Sequence, residues 1–136
     1  MDKADIVWTN TCFCSYCRKV AGSQFGVYLH VRPESFRWLS GKDQVGAFDS
    51  SPGNQRCFCR ICGCVAPRVS AGGARVPGGA LDDDAGVAPT MNIYTASSAR
   101  WCAAATGARQ SFPRLPTAAE YAQLMAEYAA EGARPG

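Results

Sequence analysis

Histidine, a common ligand of transition metals, occurs only once in this chain, at position 30. A lone histidine on a strand is more typical of a surface or hydrogen-bonded residue than of a metal ligand.

The chain also lacks an apolar run near the roughly 18 residues of a membrane span. It has no apolar signal-peptide core close to residue 1. These absences predict a cytoplasmic protein without a membrane partner.

Blocks of basic residues are also missing. The net charge is +3, and the lysines and arginines are scattered, with no run beyond pairs such as Arg18-Lys19. We therefore expect no nucleic-acid partner. Apolar residues make up 47% of the chain and charged residues 18%, as in an ordinary globular protein, and 136 residues suit one domain.

Cysteine, in contrast, is abundant. The chain has eight cysteines, at positions 12, 14, 17, 57, 59, 62, 64 and 102. In a cytoplasmic protein the thiols stay reduced, and clustered cysteines more often hold a metal than form disulfides. A disulfide-bonded scaffold remains the alternative.

The first cluster has the spacing C-x-C-x-x-C, with Cys12, Cys14 and Cys17. Residues two apart on a strand point to the same face, so Cys12 and Cys14 can reach one ion, and the next turn brings Cys17 towards it. Zinc held by three protein ligands keeps a fourth position open for water or substrate, unlike a closed structural site. We therefore predict that these three cysteines are metal ligands and form the catalytic centre. Disulfide pairing and a cysteine-rich turn without metal are the alternatives.

The second cluster is symmetrical, with Cys57, Cys59, Cys62 and Cys64 spaced C-x-C-x-x-C-x-C. If Cys59 and Cys62 bound the turn of a hairpin, Cys57 lies opposite Cys64 and all four sulfurs share one face. Gly63 suits such a turn because glycine adopts positive φ at little cost. The pattern predicts a second metal site of the zinc-knuckle type. Alternatively, Cys57 and Cys64 form a cross-strand disulfide, or one of them packs as a small apolar residue.

The remaining pattern is that of short strands followed by one helix. Strands are predicted over 5–12, 25–31, 35–39, 45–48, 65–69 and 91–95, and residues 18–22 are predicted to be a polar connection. The sequence thus indicates a mainly β domain. Its aromatic core is predicted to contain Phe25, Phe36, Trp38 and Phe48.

The last segment changes to a helical period. Apolar residues at 121, 124, 125 and 128 predict an amphipathic helix that packs on the β domain. Thr117 and Glu120 have the spacing of a capping box, and Gly132 is a plausible end.

Several motifs, in this order, resemble the glutathione-dependent formaldehyde-activating family, which also includes centromere protein V. They are C-x-C-S-x-C-R-K at 12–19, F-R-W at 36–38, S-S-P-G at 50–53, F-C-x-x-C-G at 58–63, G-A-L-D-D at 79–83 and I-Y-T at 93–95. The resemblance implies a β-tent-like domain of two small packed antiparallel sheets, here followed by the C-terminal helix. We predict that this domain covers residues 1–116 and that residues 117–136 form the helix and tail.

The resemblance also implies two zinc ions and an activity. One zinc is catalytic, held by the cysteines that match Cys12, Cys14 and Cys17. The other is structural and uses an N-terminal C-x-C together with the pair that matches Cys59 and Cys62. The type reaction joins formaldehyde to glutathione, which makes a carbon–sulfur lyase-like enzyme the expectation, with glutathione as a candidate co-substrate. Arg18 and Lys19 are candidates for attracting the carboxylates of such a substrate, and plain solvent exposure is the alternative that we favour for both.

Three departures from the family pattern stand out. The N-terminal C-x-C strand has no counterpart in the eleven residues before Cys12, and we hypothesise that Cys57 and Cys64 replace it as ligands. Phe13 and Asn92 stand where the family usually has histidine. These two changes predict a shift from the type reaction towards a more apolar electrophile or another lyase step. The missing strand also leaves a sheet edge, so a homodimer formed by strand pairing is an alternative.

Three classes of function therefore follow. The first is a zinc-dependent lyase-like enzyme that acts on a thiol adduct or a small carbonyl compound. The second is a non-catalytic zinc-binding module for structure or protein interaction. The third is a redox protein that exchanges thiols through C-x-x-C.

Overall fold

The computed structural model describes residues 5–83, 85–101 and 110–132. These residues form two β-sheets, with six and three strands, and two α-helices. The mainly β fold class with a C-terminal helix is confirmed. No helix in the described ranges is both long and apolar enough to cross a membrane.

Along the chain, the three strands of the smaller sheet fall between the second and third strands of the larger one. The strands are β1 (Ile6–Cys12), β2 (Gly26–Val31), β3 (Val45–Ser51), β4 (Asn54–Cys59), β5 (Val65–Ala66), β6 (Arg68–Ser70), β7 (Gly73–Pro77), β8 (Met91–Ile93) and β9 (Gln110–Ser111). The helices are α1 (Ser15–Ala21) and α2 (Ala118–Gly132).

The larger sheet has the order β6-β7-β2-β1-β8-β9, and the smaller has the order β3-β4-β5. Two pairs in the larger sheet, β1 with β8 and β8 with β9, are parallel, so the sheet is mixed rather than wholly antiparallel. Strand β1 is an inner strand that pairs with β2 on one side and β8 on the other. Its last residue, Cys12, is therefore fixed from both sides.

Helix α1 replaces the polar connection predicted over residues 18–22. The Cys14 side chain accepts the backbone N–H of Cys17 at the start of the helix, and Gly22 ends it in the left-handed conformation with φ of 60°. The helix has only 7 residues, which is too short to show a helical period. Because it begins inside the cysteine motif, it carries Cys17 back towards Cys12.

Two further predictions from the strand pattern are wrong. Residues 35–39 form no strand, because Pro33–Ser35 is a single 3-10 turn and the chain is irregular after it. Phe48 is 65% exposed and lies outside the core. The core instead consists of two clusters, one with Cys12, Cys17, Tyr28, Met91, Ile93, Phe112 and Leu124, and one with Ile6, Leu29, Val31, Ala74 and Val76.

Helix α2 starts as predicted. The Thr117 N–H donates to Glu120 Oε2 at 2.7 Å, and the Glu120 N–H donates to Thr117 Oγ1 at 3.2 Å, which is a reciprocal capping box. Leu124 is buried in the first core cluster, and Tyr121 and Met125 pack against it. The helix thus covers the side of the core that contains Cys12 and Cys17.

Gly73, at the start of β7, is required by its backbone. Its φ is 128°, and a Cβ there would overlap the carbonyl oxygen of Val31 on the neighbouring strand. We expect Gly73→Ala to lower the free energy of unfolding by about 1–3 kcal/mol, the usual size of such backbone strain. Urea unfolding measures this, with Gly72→Ala as the matched control, because the nearest atom to a Cβ there is 4.0 Å away. Equal stabilities of the two variants would contradict the prediction.

Candidate metal centre and cavity

Three thiols meet where β1 runs into α1. Cys12 ends the strand, Cys14 caps the helix and Cys17 lies in its first turn. Their sulfur atoms all lie within 4.8 Å of one another, and among the described residues they are the group of three or more ligands placed for one metal ion. Cys12 and Cys17 are buried, and Cys14 is partly exposed. The spacing C-x-C-x-x-C therefore produces the clustering that it predicts.

The loop between the first two cysteines is held by the neighbouring strand. The Phe13 N–H donates to the Ile93 carbonyl of β8 at 3.1 Å, and Arg18 Nε donates to the Phe13 carbonyl at 3.1 Å. These bonds satisfy both polar groups of the Phe13 backbone. The sulfurs on either side of Phe13 are thus held in place by the larger sheet.

The cluster opens into a cavity of about 550 Å³. Such a volume is in the range of small-molecule sites. Both sheets contribute side chains to its wall. Besides the three cysteines, these include Trp8, Asn10, Tyr28, His30, Asn54, Arg56, Arg75, Ile93 and Tyr94. Tyr94 is the one non-glycine residue in the described part of the chain with positive φ, 56°.

Cys17 is the thiol of the cluster whose ionised form is most stabilised. A hydrogen bond with Cys12 lowers the pKa of Cys17 below its ordinary value, and a hydrogen bond from Tyr28 and the charge of Arg56 act in the same direction. Arg56 Nη2 donates to Cys17 Sγ at 3.6 Å. The hydrogen bond with Cys17, followed by burial, raises the pKa of Cys12. Without a cation the negative charge is therefore favoured at Cys17 and disfavoured at Cys12, and a bound cation would stabilise the thiolate form of its ligands.

The donor set fits zinc. Two sulfurs bonded to one zinc ion at about 2.3 Å in tetrahedral geometry lie about 3.8 Å apart. Sulfurs within 4.8 Å of one another need to move little to reach that spacing. The seven described cysteines are all free thiols, so no disulfide competes for these sulfurs. Cys102 lies outside the described residues.

His30 forms part of the cavity wall. Its ring stacks on Trp8 with centroids 3.6 Å apart and an interplanar angle of 6°. Its Nε2 lies 2.9 Å from Asn10 Oδ1, and because that oxygen only accepts, Nε2 carries the hydrogen. Burial, followed by the charge of Arg75, lowers the pKa of His30 to about 4. The prediction of a hydrogen-bonded histidine is confirmed, and the ring is neutral at pH 7.

The two positions that depart from the family pattern lie outside the cavity lining. Phe13 is buried and packs against Phe25, with ring centroids 5.3 Å apart. Asn92 is buried in β8, and its Nδ2 donates to Ser111 Oγ at 3.0 Å. Neither residue therefore contacts the cavity directly, and the expected shift away from the type reaction stays a prediction.

The second cluster has a different register from the one predicted. Strand β4 pairs with β5 so that Cys57 lies opposite Ala66. The residue whose backbone pairs with Cys64 is Cys59, whose N–H donates to the Cys64 carbonyl at 2.8 Å. The Gly63 N–H closes the turn onto the Cys59 carbonyl at 2.8 Å.

These four cysteines are all described, and no three of their sulfurs lie within 4.8 Å of one another. Cys62 and Cys64 are exposed. A structural zinc at Cys57, Cys59, Cys62 and Cys64 stays a prediction.

The zinc content of a Cys57→Ser/Cys64→Ser variant tests this structural site. A fall of one zinc ion per chain supports the site, and unchanged zinc content with unchanged stability contradicts it.

Arg18 and Lys19, named from the sequence as candidates for binding carboxylates, are not the basic residues of the cavity. Arg18 is used in the Phe13 contact and Lys19 is exposed, and neither lines the cavity. Arg56 of β4 and Arg75 of β7 line it instead. Neither belongs to a motif that spacing could single out, because only the packing of the two sheets brings them together.

Comparison with known proteins agrees with this geometry. A search of curated proteins found no match. The family described as "Glutathione-dependent formaldehyde-activating enzyme" matches residues 2–97, which include both cysteine clusters and both cavity arginines. The match spans more than half of the chain and ends after β8, the strand that holds the cysteine loop. This chain therefore belongs to the glutathione-dependent formaldehyde-activating enzyme family.

Proposed function

We propose that this protein is a zinc-dependent carbon–sulfur lyase-like enzyme that reversibly joins a thiol to formaldehyde or another small carbonyl compound. Glutathione is the first candidate for the thiol. The observation that carries the proposal is the placement of three thiols within 4.8 Å of one another on the wall of a 550 Å³ cavity. A purely structural metal site needs no cavity of this size beside it.

The reaction is an addition. The thiol sulfur forms a bond to the carbonyl carbon, the C=O double bond becomes a single bond, and the thiol proton ends on the former carbonyl oxygen. The reverse reaction breaks the carbon–sulfur bond and returns both reactants. Neither direction needs an oxidant or a reductant.

Zinc, when bound by Cys12, Cys14 and Cys17, supplies a cation that lowers the pKa of an incoming thiol. The chain's own residues prepare that site. Arg56 donates to the Cys17 sulfur, and burial raises the pKa of Tyr28, so its hydroxyl stays protonated and available as a donor. Both donors draw charge away from the sulfur and favour a second, exogenous thiolate nearby.

The cavity wall also orders the reactants. The stacked rings of Trp8 and His30 give a flat surface beside the cluster, and Tyr121 of α2 meets Trp8 edge-on at 5.8 Å. Because His30 is neutral at pH 7, this surface carries no charge. Holding the thiol and the carbonyl compound together there converts a bimolecular encounter into a local reaction.

The test measures zinc and exchange on the same sample. We expect protein purified without added metal to contain zinc and to accelerate the interconversion of glutathione, formaldehyde and their adduct beyond the rate in buffer, as measured by NMR exchange spectroscopy. Chelation should remove the acceleration, and added zinc should restore it. Zinc-loaded protein that accelerates no thiol with formaldehyde or other small aldehydes would refute the proposal and favour a non-catalytic zinc module.

A further inference from the structure

The cavity contains two arginines whose roles differ. Arg56 is 8% exposed and already engaged, with Nε donating to Ser50 Oγ at 3.2 Å and Nη2 donating to Cys17 Sγ at 3.6 Å. Zinc with three thiolates carries a formal charge of −1. The positive charge of Arg56 lies directly against that group. The positive charge of Arg56 is therefore balanced by the negative charge of the metal centre.

Arg75 makes no direct contact with an anion among the described residues, although the charge of Cys17 also acts on it. Its Nη atoms donate to Asn54 Oδ1 at 3.4 Å, and Nη2 donates to the Gln55 carbonyl at 3.2 Å. Its guanidinium carbon lies 5.2 Å above the centre of the Tyr28 ring. These partners are all neutral. Among the residues that the structure describes, no carboxylate pairs with Arg75.

A partly buried cation without an anion is costly. Burial, and next the nearby charge of Arg56, lower the pKa of Arg75. A guanidinium keeps its proton even so, since its ordinary pKa is above about 12. It has five N–H donors in a planar fork that matches a carboxylate. The unbalanced charge and the spare donors both face the cavity, where they can bind an anion from solution.

The position of Arg75 allows one ligand to reach both this arginine and the sulfurs. Tyr28 hydrogen-bonds to Cys17, and Arg75 lies over the ring of the same tyrosine. A ligand whose thiol approaches the cluster can therefore extend past Tyr28 and place a carboxylate on Arg75. We infer that Arg75 is a specificity-determining residue that binds a carboxylate of the thiol substrate, an inference that rests on the proposed function.

The experiment compares two thiols that differ only in this group, N-acetylcysteine and its amide. For each protein the ratio of kcat/KM for the acid to kcat/KM for the amide is measured with one aldehyde. We expect Arg75→Gln to lower this ratio at least about tenfold relative to the unmodified protein, since one charge-assisted contact commonly contributes about 1.4 kcal/mol or more. Differences in the intrinsic reactivity of the two thiols cancel, because both proteins meet the same pair.

The matched control is Arg68→Gln. Arg68 faces Arg75 across the β6–β7 pairing but does not line the cavity, so its ratio should stay unchanged. If Arg75→Gln fails to fold, Arg75→Lys replaces it. Lysine keeps the charge but loses the fork, and the ratio should then fall at least about threefold. A ratio in the folded Arg75 variant equal to that of the unmodified protein would overturn the inference.

A second measurement separates this inference from the proposed function. N-acetylalanine has the carboxylate but no thiol, and its binding is followed by ligand-observed NMR on the protein as purified. We expect binding that weakens in Arg75→Gln and persists in Arg68→Gln. If no thiol is turned over but this difference is present, the proposed reaction fails and the carboxylate site stands. No difference between the two variants counts against Arg75 itself.

Discussion

Cys14→Ser should abolish zinc binding at the first cluster while leaving the protein folded. Serine is a good helix N-cap, so its hydroxyl can accept the Cys17 N–H that the Cys14 sulfur accepts at 3.4 Å. It is a poor zinc ligand, because it keeps its proton near neutral pH. Loss of a group that only supports a ligand costs about 10–100-fold in metal affinity, so loss of the ligand itself should cost at least about 100-fold.

The measurement is the number of zinc ions per chain after dialysis, together with the exchange rate of glutathione and formaldehyde. We expect one zinc ion fewer and no acceleration above buffer, with a melting temperature close to that of zinc-depleted unmodified protein. Cys14→Ala is the paired variant. It removes both the ligand and the cap, so it should be the less stable of the two by about 1 kcal/mol. Full zinc content with full turnover in Cys14→Ser would show that these thiols are not the reaction centre.

Leu124→Ala should be the most destabilising single change in α2. Leu124 is 2% exposed and belongs to the same core cluster as Cys12 and Cys17. Truncating a buried leucine removes transfer free energy and leaves a cavity, for a loss of about 2–5 kcal/mol. Unfolding in urea measures the loss. We also expect weaker zinc retention, because the cavity would form beside the buried sulfurs.

Gln123→Ala is the control for this prediction. Gln123 is the preceding residue and is exposed, with one hydrogen bond to Glu127 Oε1 at 3.1 Å. Its replacement should change the free energy of unfolding by no more than about 0.5 kcal/mol. If Leu124→Ala lowered the free energy of unfolding by no more than Gln123→Ala does, α2 would not share the core of the cysteine cluster.

The sequence predicted the cysteine centre well because its geometry is local. Cys12, Cys14 and Cys17 lie within six residues, so strand alternation and one helical turn are enough to gather them. The capping box of α2 is local in the same way. The spacing predicted both metal sites, and the resemblance to the family added the lyase-like activity and the assignment of one catalytic and one structural zinc. The zinc itself stays a prediction.

The predictions that proved wrong concern strand pairing and side-chain burial, which residue spacing does not determine. The hairpin of the second cluster has four loop residues, 60–63, rather than two, so the pairing moves by two positions and Cys57 no longer faces Cys64. Phe48 was assigned to the core because it is an aromatic residue in a predicted strand, but nothing in the sequence shows that its side chain stays uncovered.

The arginines were missed for the same reason. Arg56 and Arg75 belong to different sheets and are 19 positions apart in the chain, so their meeting at the sulfurs depends on how the sheets pack. The basic residues adjacent to the cysteines in the chain, Arg18 and Lys19, were the candidates that the sequence offered, with solvent exposure as the favoured alternative. Proximity along the chain was a poor guide to charge in the cavity.

The position of β1 inside the larger sheet sets the order in which the molecule can mature. The thiols at positions 12–17 leave the ribosome before residues 91–93, which form the strand that holds their loop, and before Phe112 and Leu124, which complete the packing around them. Until those segments emerge, the nascent chain carries three reactive thiols without their shelter. The packed form of the site can therefore arise only after residue 124 has been synthesised, and until then the sulfurs are exposed to oxidation.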